Sequence, residues 1–234
     1  LAGNADYCQT FVEISDNNSV CIQGDPVAIA GNLKTAFNDG VEGANVHLEA
    51  GPLSVFDMSD DQGAFSFNYF LPPAQTYTVT PFKDDNPLNG VSTYDLVLIS
   101  KHILGSQPLN TPYKMIAADA NKSNSITTFD LVALRKLILG IYSELPDNTS
   151  WRFVEKDFVF PQPLNPFATT FPESKSGLAG SAGIDDFVAV KIGDVNNTVI
   201  PNGFTQVDDR SSGTLLFDVE DRQMTAGEIS TVYF

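Results

Sequence analysis

Oxygen-bearing side chains are concentrated in one twelve-residue segment, residues 119–130 (DANKSNSITTFD). Calcium takes about six to eight oxygen ligands, and a loop of this length can supply them from its positions 1, 3, 5, 7, 9 and 12. Each of these positions carries an oxygen here: Asp119, Asn121, Ser123, the Ser125 carbonyl, Thr127 and Asp130. The segment therefore predicts a calcium-binding loop, and a solvated polar turn is the alternative.

The turn of such a loop falls at position 6, which is usually glycine. Asn124 occupies this position, and asparagine tolerates a left-handed backbone better than most residues. We therefore expect Asn124 to form the turn and Ile126, at position 8, to point into the core.

A second copy of the pattern lies at residues 84–95 (DDNPLNGVSTYD), because 119 − 84 and 130 − 95 both equal 35. Its predicted ligands are Asp84, Asn86, the Leu88 carbonyl, the Gly90 carbonyl, Ser92 and Asp95. Leu88 has no side-chain donor, so we expect a less regular site in which Asp85 is an alternative ligand. The repeat predicts two bound Ca²⁺ ions.

The later segment GDVNNT, residues 193–198, has the composition of the start of another such loop. Asp194 and Asn196 are therefore candidates to close against one of the two sites. A β-turn without any ligand role is the alternative.

Each loop is followed by an apolar stretch that predicts a helix, LVLISKHILG or LVALRKLILG. We expect Thr93 and Thr128 to cap these helices and Gly105 and Gly140 to end them. No helix is expected before either loop, because YTVTPFK and YKMIAA both resemble strands. The predicted buried faces are Leu96, Ile99 and Ile103 in one helix and Leu131, Leu134 and Ile138 in the other.

Residues 27–82 alternate in polarity and are punctuated by Gly and Asp, which predicts a small β module. Three stretches, GVEGANV from Gly40, DQGAFSF from Asp61 and YTVTP from Tyr77, resemble the carboxypeptidase-regulatory-like β-sandwich. This resemblance implies a seven-stranded, immunoglobulin-like spacer without catalysis.

Residues 84–140 resemble a pair of type I dockerin repeats. The matching residues are Asp84, Asn86, Asp95, Asp119, Asn121, Ser123 and Asp130, together with the two ILG endings, and the departures are Leu88, Asn89 and Asn124. Dockerin kinship implies docking to a cohesin, with Ser92–Thr93 and Thr127–Thr128 at positions that contact the partner in cellulosomal dockerins. The arrangement as a whole is similar to large secreted or surface proteins of Bacteroidota-type bacteria.

The expected fold class is multi-module and mainly β with a small α part. We expect a terminal strand of a preceding module in 1–24 and an Ig-like sandwich in 25–82. Dockerin-like repeats follow in 83–145, a β-rich extension packing on them in 146–200, and an incomplete, cohesin-like sandwich in 201–234. The first ten residues lack the basic start and apolar core of a signal peptide, so a fragment or a processed chain is expected.

Charge and composition exclude several classes of function. A formal net charge of −16 argues against binding nucleic-acid phosphates, and no apolar run reaches the roughly 20 residues of a membrane helix. Cys8 and Cys21 predict a local disulfide if the protein is secreted, with two free thiols as the alternative.

No recognisable catalytic motif is present, so an enzyme is not expected. His47 and His102 are interpreted as surface or packing residues, and Asp185–Asp186 as a turn rather than a catalytic dyad. Trp151 is interpreted as a core residue, with sugar stacking as the alternative.

These features favour a calcium-stabilised structural or adhesive module that is secreted or held at the cell surface. Its expected partners are other modules of the same or a longer chain, or identical subunits joined by strand exchange in a fibre. One alternative is a dockerin-like module that docks a cohesin in a polysaccharide-degrading assembly. A non-catalytic part of a secreted glycan-degrading enzyme is another.

Overall fold

The computed structural model describes residues 27–71, 75–179 and 184–202. The predicted Cys8–Cys21 disulfide and the terminal strand in 1–24 lie outside these ranges. The predicted C-terminal sandwich in 201–234 lies outside them except for its first two residues.

Five strands form between residues 27 and 82, where the sequence alternates in polarity. They are β1 (Val27–Thr35), β2 (Asn45–Ala50), β3 (Leu53–Met58), β4 (Ala64–Tyr69) and β5 (Thr76–Phe82). The predicted inward residues of β2 and β4 are buried: Val46, Leu48, Phe65 and Phe67. Alternation of large apolar residues with polar ones therefore places one face of each strand in the core.

Three further strands come from much later in the chain and complete both sheets. They are β6 (Trp151–Glu155), β7 (Lys175–Leu178) and β8 (Phe187–Lys191). In the described residues the strands form two four-stranded sheets, with the orders β4-β1-β8-β6 and β3-β2-β5-β7. The fold is mainly β with three helices, which confirms the coarse fold class.

The sandwich is therefore not confined to residues 25–82, and the expected seven-stranded spacer is wrong in strand number. The described strands number eight. β8 pairs in parallel with β1, and β7 pairs antiparallel with β5. An exposed sheet edge carries unpaired N–H and C=O groups, and strands from residues 146–200 satisfy those of β1 and β5.

Three helices lie between β5 and β6. They are α1 (Thr93–Ile103), α2 (Pro112–Ala118) and α3 (Thr128–Ile138). Gly105 and Gly140, which follow α1 and α3, both have φ of 68°, as predicted for residues that end a helix.

The predicted helix caps are wrong by one residue. Ser92 and Thr127 are the N-caps, and Thr93 and Thr128 are the first helical residues. Asp95 and Asp130 each accept a hydrogen bond from the N-cap backbone N–H, which completes a capping box. The position-12 aspartates therefore also serve as helix caps.

A helix precedes the second loop, contrary to the prediction that neither loop has one. Thr111 caps α2 through a hydrogen bond from Lys114 N, and Pro112 is its first residue. Proline favours the first helical position because its fixed φ suits a helix and its missing N–H is not needed there. The strand-like composition of YKMIAA is overridden by these start signals.

Two hydrophobic clusters meet across β6 and β8. Phe187 and Ala189 of β8 belong to the cluster between the two sheets, whereas Val190 and the adjoining Ile192 belong to the cluster around the helices. The helical cluster also contains Ile99 and Leu134 from the predicted helix faces. One face of the β8–β6 pair thus carries the helices and the other faces the sandwich core. None of the helices in the described ranges is long and apolar enough to cross a membrane.

Truncation of Phe187 tests whether β8 is an integral strand of the sandwich. Phe187 is 1% exposed, so Phe187→Ala is expected to lower the free energy of unfolding by about 3–5 kcal/mol. Phe37→Ala is the control, because Phe37 is 61% exposed and its truncation should change stability by less than about 0.5 kcal/mol. Guanidinium denaturation measures both, and equal effects would contradict the pairing of β8 with β1.

Candidate cation sites at two helix N-termini

The predicted loop at residues 119–130 wraps around two buried carboxylates. Asp119 accepts hydrogen bonds from Ser123 N (2.9 Å) at Oδ1 and from Asn124 N (2.8 Å) at Oδ2. Asp130 accepts from Asn121 N (3.2 Å) at Oδ1 and from Thr127 N (2.8 Å) at Oδ2. Both aspartates are fully buried. The loop N–H groups therefore point inward at two acids.

The backbone of this loop turns as its sequence predicts. Asn124 has φ of 60° and Lys122 has φ of 54°, so two left-handed residues fold the chain back on itself. Ile126 is partly buried against the helical cluster. Asparagine at position 6 therefore makes the turn that glycine usually makes.

Three further predicted ligands are joined in the same network. Ser123 Oγ lies 3.2 Å from the Ser125 carbonyl oxygen and 3.4 Å from Asp119 Oδ1. Ser123 N also donates to Asn121 Oδ1 at 3.1 Å. Amide, hydroxyl, carbonyl and carboxylate oxygens thus converge, which is the donor set of a hard divalent cation.

Burial makes the carboxylate pair electrostatically unfavourable without a counter-ion. Loss of solvation raises the pKa of Asp119, and the Asp130 charge raises it further. Hydrogen bonds from Ser123 and Asn124 and the charge of Arg152 act in the opposite direction. A cation bound beside Asp119 would oppose both effects and favour the ionised form of this carboxyl group.

The predicted contiguous loop at residues 84–95 does not repeat this geometry. Asp84 is exposed, and its Oδ1 accepts hydrogen bonds from Ser150 N (2.8 Å) and Ser150 Oγ (2.9 Å). Asn86 has φ of 44° and Leu88 is partly buried against the helical cluster. Their carbonyl oxygens accept from Asn89 N and Val91 N in local turns.

Asp95 instead meets the distant segment GDVNNT. Its Oδ1 accepts from Val195 N (3.0 Å) and Asn196 N (3.3 Å), while Oδ2 accepts from Ser92 N (2.9 Å). Asp194 is buried, and both burial and the Asp95 charge raise its pKa. The structure therefore brings Asp194 and Asn196 to the first repeat.

Thr198 and Val199 join the same cluster, although neither is among the predicted ligands. Thr198 Oγ1 donates to the Gly90 carbonyl at 3.0 Å, and Val199 N donates to Asp194 Oδ2 at 2.8 Å. The available sequence signal for Thr198 is that it ends the segment GDVNNT, which is similar to the start of a loop, and Val199 directly follows it.

Lys191 is a buried cation beside the first repeat. Its Nζ donates to the Pro87 carbonyl at 2.9 Å and lies 5.9 Å from the centre of the Trp151 ring. Burial lowers the pKa of Lys191 to about 7, although Asp194, Asp85 and Asp84 raise it. The negative charges of Asp84 and Asp85 therefore partly offset the effect of burial on the pKa of Lys191. Trp151 is buried, as the core interpretation predicts.

The remaining polar candidates lie apart from these loops. His47 stacks on Phe56 with ring centres 4.3 Å apart, and its Nε2 lies 2.8 Å from Ser54 Oγ on an open sheet face. His102 Nδ1 accepts from Leu109 N at 3.0 Å, which fixes the chain after α1. Asp186 binds Asn32 and Lys156. None of these contacts involves a residue of the two loops.

Within residues 27–71, 75–179 and 184–202, no group of three or more His, Cys, Asp or Glu side chains is placed to hold a metal. The loop at residues 119–130 contributes two carboxylates, Asp119 and Asp130, and the cluster at the first repeat contains Asp95 and Asp194. The other oxygens in both places are neutral. Calcium accepts such mixed oxygen donors, so a site with two acids is compatible with that finding.

The comparisons with known proteins find no match among protein-family models, curated proteins or solved structures. Function is therefore inferred from the residues and geometry of the chain itself.

The buried lysine predicts a pH dependence of stability in the absence of calcium. The pKa of Lys191 is about 7 in the folded chain and 10.5 in the unfolded reference. Between these pH values the unfolded chain retains a proton that the folded chain has lost, so raising the pH stabilises the fold.

Chemical denaturation in chelator at pH 7 and pH 9 measures this effect. Relative to Lys191→Met, the wild-type free energy of unfolding should rise by about 2 kcal/mol over that interval. Parallel pH dependences of wild type and variant would contradict the burial of the charge.

Proposed function

We propose that this chain is a non-catalytic, calcium-stabilised structural module of an exported bacterial surface protein or extracellular fibre. The observation that carries the proposal is the loop at residues 119–130. There two fully buried aspartates and the neutral oxygens of Asn121, Ser123 and Ser125 lie in one network.

The donor chemistry favours calcium over transition metals. The loop offers oxygen atoms, without imidazole or thiolate ligands, and hard oxygen donors suit Ca²⁺. Magnesium demands a smaller and more regular octahedral shell. A long, hydroxyl-rich loop of mixed donors suits the larger ion.

Binding at this loop would stabilise the fold by joining consecutive helices. Asp119 is the C-cap of α2 and Asp130 lies in the first turn of α3. An ion held by both would fix the geometry between the two helices. Because the unfolded chain lacks this arrangement, free calcium at about 100 times Kd would add about 2.7 kcal/mol per site.

The overall charge supports a cation-loaded, extracellular role. A net charge of −16 opposes compaction, and each bound Ca²⁺ cancels two negative charges. Extracellular modules bind calcium with Kd values of about 10⁻⁴–10⁻³ M. We propose other modules of a longer chain, or identical subunits, as the structural partners.

Substitution Asp119→Asn tests the calcium-binding function. It removes one ligand charge but leaves the capping boxes of α1 and α3 intact. We expect calorimetry to lose one calcium-binding event and the calcium-induced increase in unfolding free energy to fall by about 2–3 kcal/mol at saturating calcium.

Asp61→Asn is the matched control, because Asp61 is an exposed acid in a β-turn outside both loops. It should bind calcium like the wild type. A wild-type chain whose melting temperature is the same in calcium and in chelator would contradict the proposed function.

Docking of a cohesin-like protein is a second candidate, favoured by the exposed face of α1 and α3. Equivalent residues 35 positions apart are exposed in both helices and at the residues that follow them: Tyr94 and Phe129, Val97 and Val132, and the C-caps Leu104 and Leu139. The groove between the helices is lined by apolar side chains, including Leu96, Val97 and Ile138. An exposed apolar face of this kind is typical of an interaction surface.

The double substitution Val97→Glu and Val132→Glu tests this docking face. Both side chains are about half exposed (47% and 48%), so the variant should fold and bind calcium normally. Retention by immobilised cohesin-like modules of the same organism should fall at least about tenfold, since buried charges disrupt apolar interfaces. Equal retention of wild type and variant would exclude this face as the docking surface.

A further inference from the structure

We propose that the second calcium ion is held by a composite site built from residues 90–95 and residues 194–198, instead of by the contiguous loop 84–95. This inference rests on the calcium-binding function proposed above. It assigns the ligands of the second ion to two segments that are about a hundred residues apart (194 − 95 = 99).

The first half of the composite site matches the start of the loop at 119–130. Asp119 accepts from the N–H groups four and five residues later, at 2.9 and 2.8 Å. Asp194 does the same, from Thr198 N at 3.2 Å and Val199 N at 2.8 Å. Asp194 thus occupies position 1, and Asn196 and Thr198 fall at positions 3 and 5.

The second half matches the end of that loop. Asn121 N, at position 3, donates to Asp130 Oδ1 at 3.2 Å, and Asn196 N donates to Asp95 Oδ1 at 3.3 Å. The other carboxylate oxygen caps the following helix in both cases. Asp95 is therefore the position-12 ligand.

The contact that joins the two halves of the composite site also has a counterpart in the loop at residues 119–130. Ser123 Oγ, at position 5, lies 3.2 Å from the position-7 carbonyl oxygen of Ser125. Thr198 Oγ1 lies 3.0 Å from the carbonyl oxygen of Gly90. The position-4 residues Lys122 and Asn197 share a left-handed backbone, with φ of 54° and 61°.

Numbering shows that the two halves have exchanged their order in the chain. Residues of the first half lie 75 positions after their counterparts in the loop at residues 119–130, since 194 − 119, 196 − 121 and 198 − 123 all equal 75. The second-half residues precede theirs by 35, since 125 − 90 and 130 − 95 are equal. A contiguous loop cannot produce these opposite offsets, whereas a site split between two segments can.

Gly90 allows the two segments to approach. A Cβ atom at this position would lie 2.7 Å from Val199 N and 2.8 Å from Asp194 Oδ2. Such contacts are shorter than real Cβ contacts, and Gly90 also has φ of 79°, so a side chain is excluded there. The Gly90 carbonyl is left to face Thr198 in the composite site.

The donor set of the composite site fits calcium. It comprises the carboxylates of Asp194 and Asp95, the amide oxygen of Asn196, the hydroxyl of Thr198 and the Gly90 carbonyl. Thr198 Oγ1 lies 2.7 Å from Asn196 Oδ1 and bonds to Gly90 as well, so three of these oxygens are already clustered. Calcium would hold these three oxygens together in place of the hydrogen bonds, with the Thr198 hydroxyl keeping its proton and binding through a lone pair.

The competing ligand Asp84 has another structural role. It is exposed and bound by Ser150, and its charge acts on Lys191. Asp84 lies at the position that the 35-residue repeat predicts for a ligand. Its hydrogen bonds, however, do not match those that Asp119 accepts from the backbone N–H groups of its own loop. The composite assignment therefore does not use Asp84 as a ligand.

Calcium titrations of three aspartate variants test the assignment. Wild type should bind two ions by calorimetry, Asp194→Asn and Asp119→Asn should each bind one, and Asp84→Asn should bind two. Loss of one ion in Asp84→Asn together with two ions in Asp194→Asn would overturn the composite site. Failure of wild type to bind any calcium would instead overturn the proposed function.

A titration of the wild-type chain followed by backbone amide NMR removes any dependence on variant folding. The amides of residues 194–198 and 91–95 should shift together, with one apparent Kd, and the amides of 84–88 should shift much less. Shifts at 84–88 and 91–95 without change at 194–198 would overturn the composite site, even if residues 119–130 respond as the proposed function requires.

Discussion

The burial of two pairs of aspartates is the constraint on which the rest of this structure depends. Asp119 faces Asp130, and Asp194 faces Asp95, and all four side chains are buried. An unpaired buried carboxylate is strongly unfavourable, and two together repel. Backbone N–H groups of the loops and the N-termini of α1 and α3 offset part of this cost. A divalent cation in each pair would offset the rest.

This constraint explains why the sandwich and the helices are joined. β8 packs Phe187 into the sandwich core and Val190 against the helices, and the chain then turns at Gly193 into Asp194. Gly193 N donates to the Ala117 carbonyl at 2.8 Å, next to the end of α2. A side chain at Gly193 would clash with Leu134. A single segment thus leads from a central strand to Asp194 and contacts α2 and α3 on the way.

Features that depend on short stretches of chain can be predicted from the sequence. Oxygen donors at loop spacing, Asn124 at the turn, glycines after the helices and alternating Phe65 and Phe67 all follow from short-range chemistry. The predicted caps, Thr93 and Thr128, lie one residue too late, because Ser92–Thr93 and Thr127–Thr128 each offer two hydroxyls in succession. Only the capping box with Asp95 or Asp130 distinguishes the two hydroxyls.

Long-range pairing is where sequence reasoning failed. Nothing local indicates that β8 pairs in parallel with β1, more than 150 residues away (187 − 33 = 154). The same limit applies to the first repeat. The 35-residue period extends back to Asp84 and favours a contiguous loop, whereas in the structure Asp95 accepts hydrogen bonds from Val195 N and Asn196 N. The composition of GDVNNT makes Asp194 and Asn196 candidates to close against one of the two sites, but only the folded structure indicates which site they approach.

A crystal structure of the chain grown in calcium, with anomalous difference maps, is the most direct test of this account. We expect two anomalous peaks, one between the carboxylates of Asp119 and Asp130 and one between those of Asp194 and Asp95. A peak bounded by Asp84 and Asp95 would contradict the composite arrangement. The absence of any peak in a calcium-soaked crystal would contradict the central claim that these buried carboxylates hold calcium.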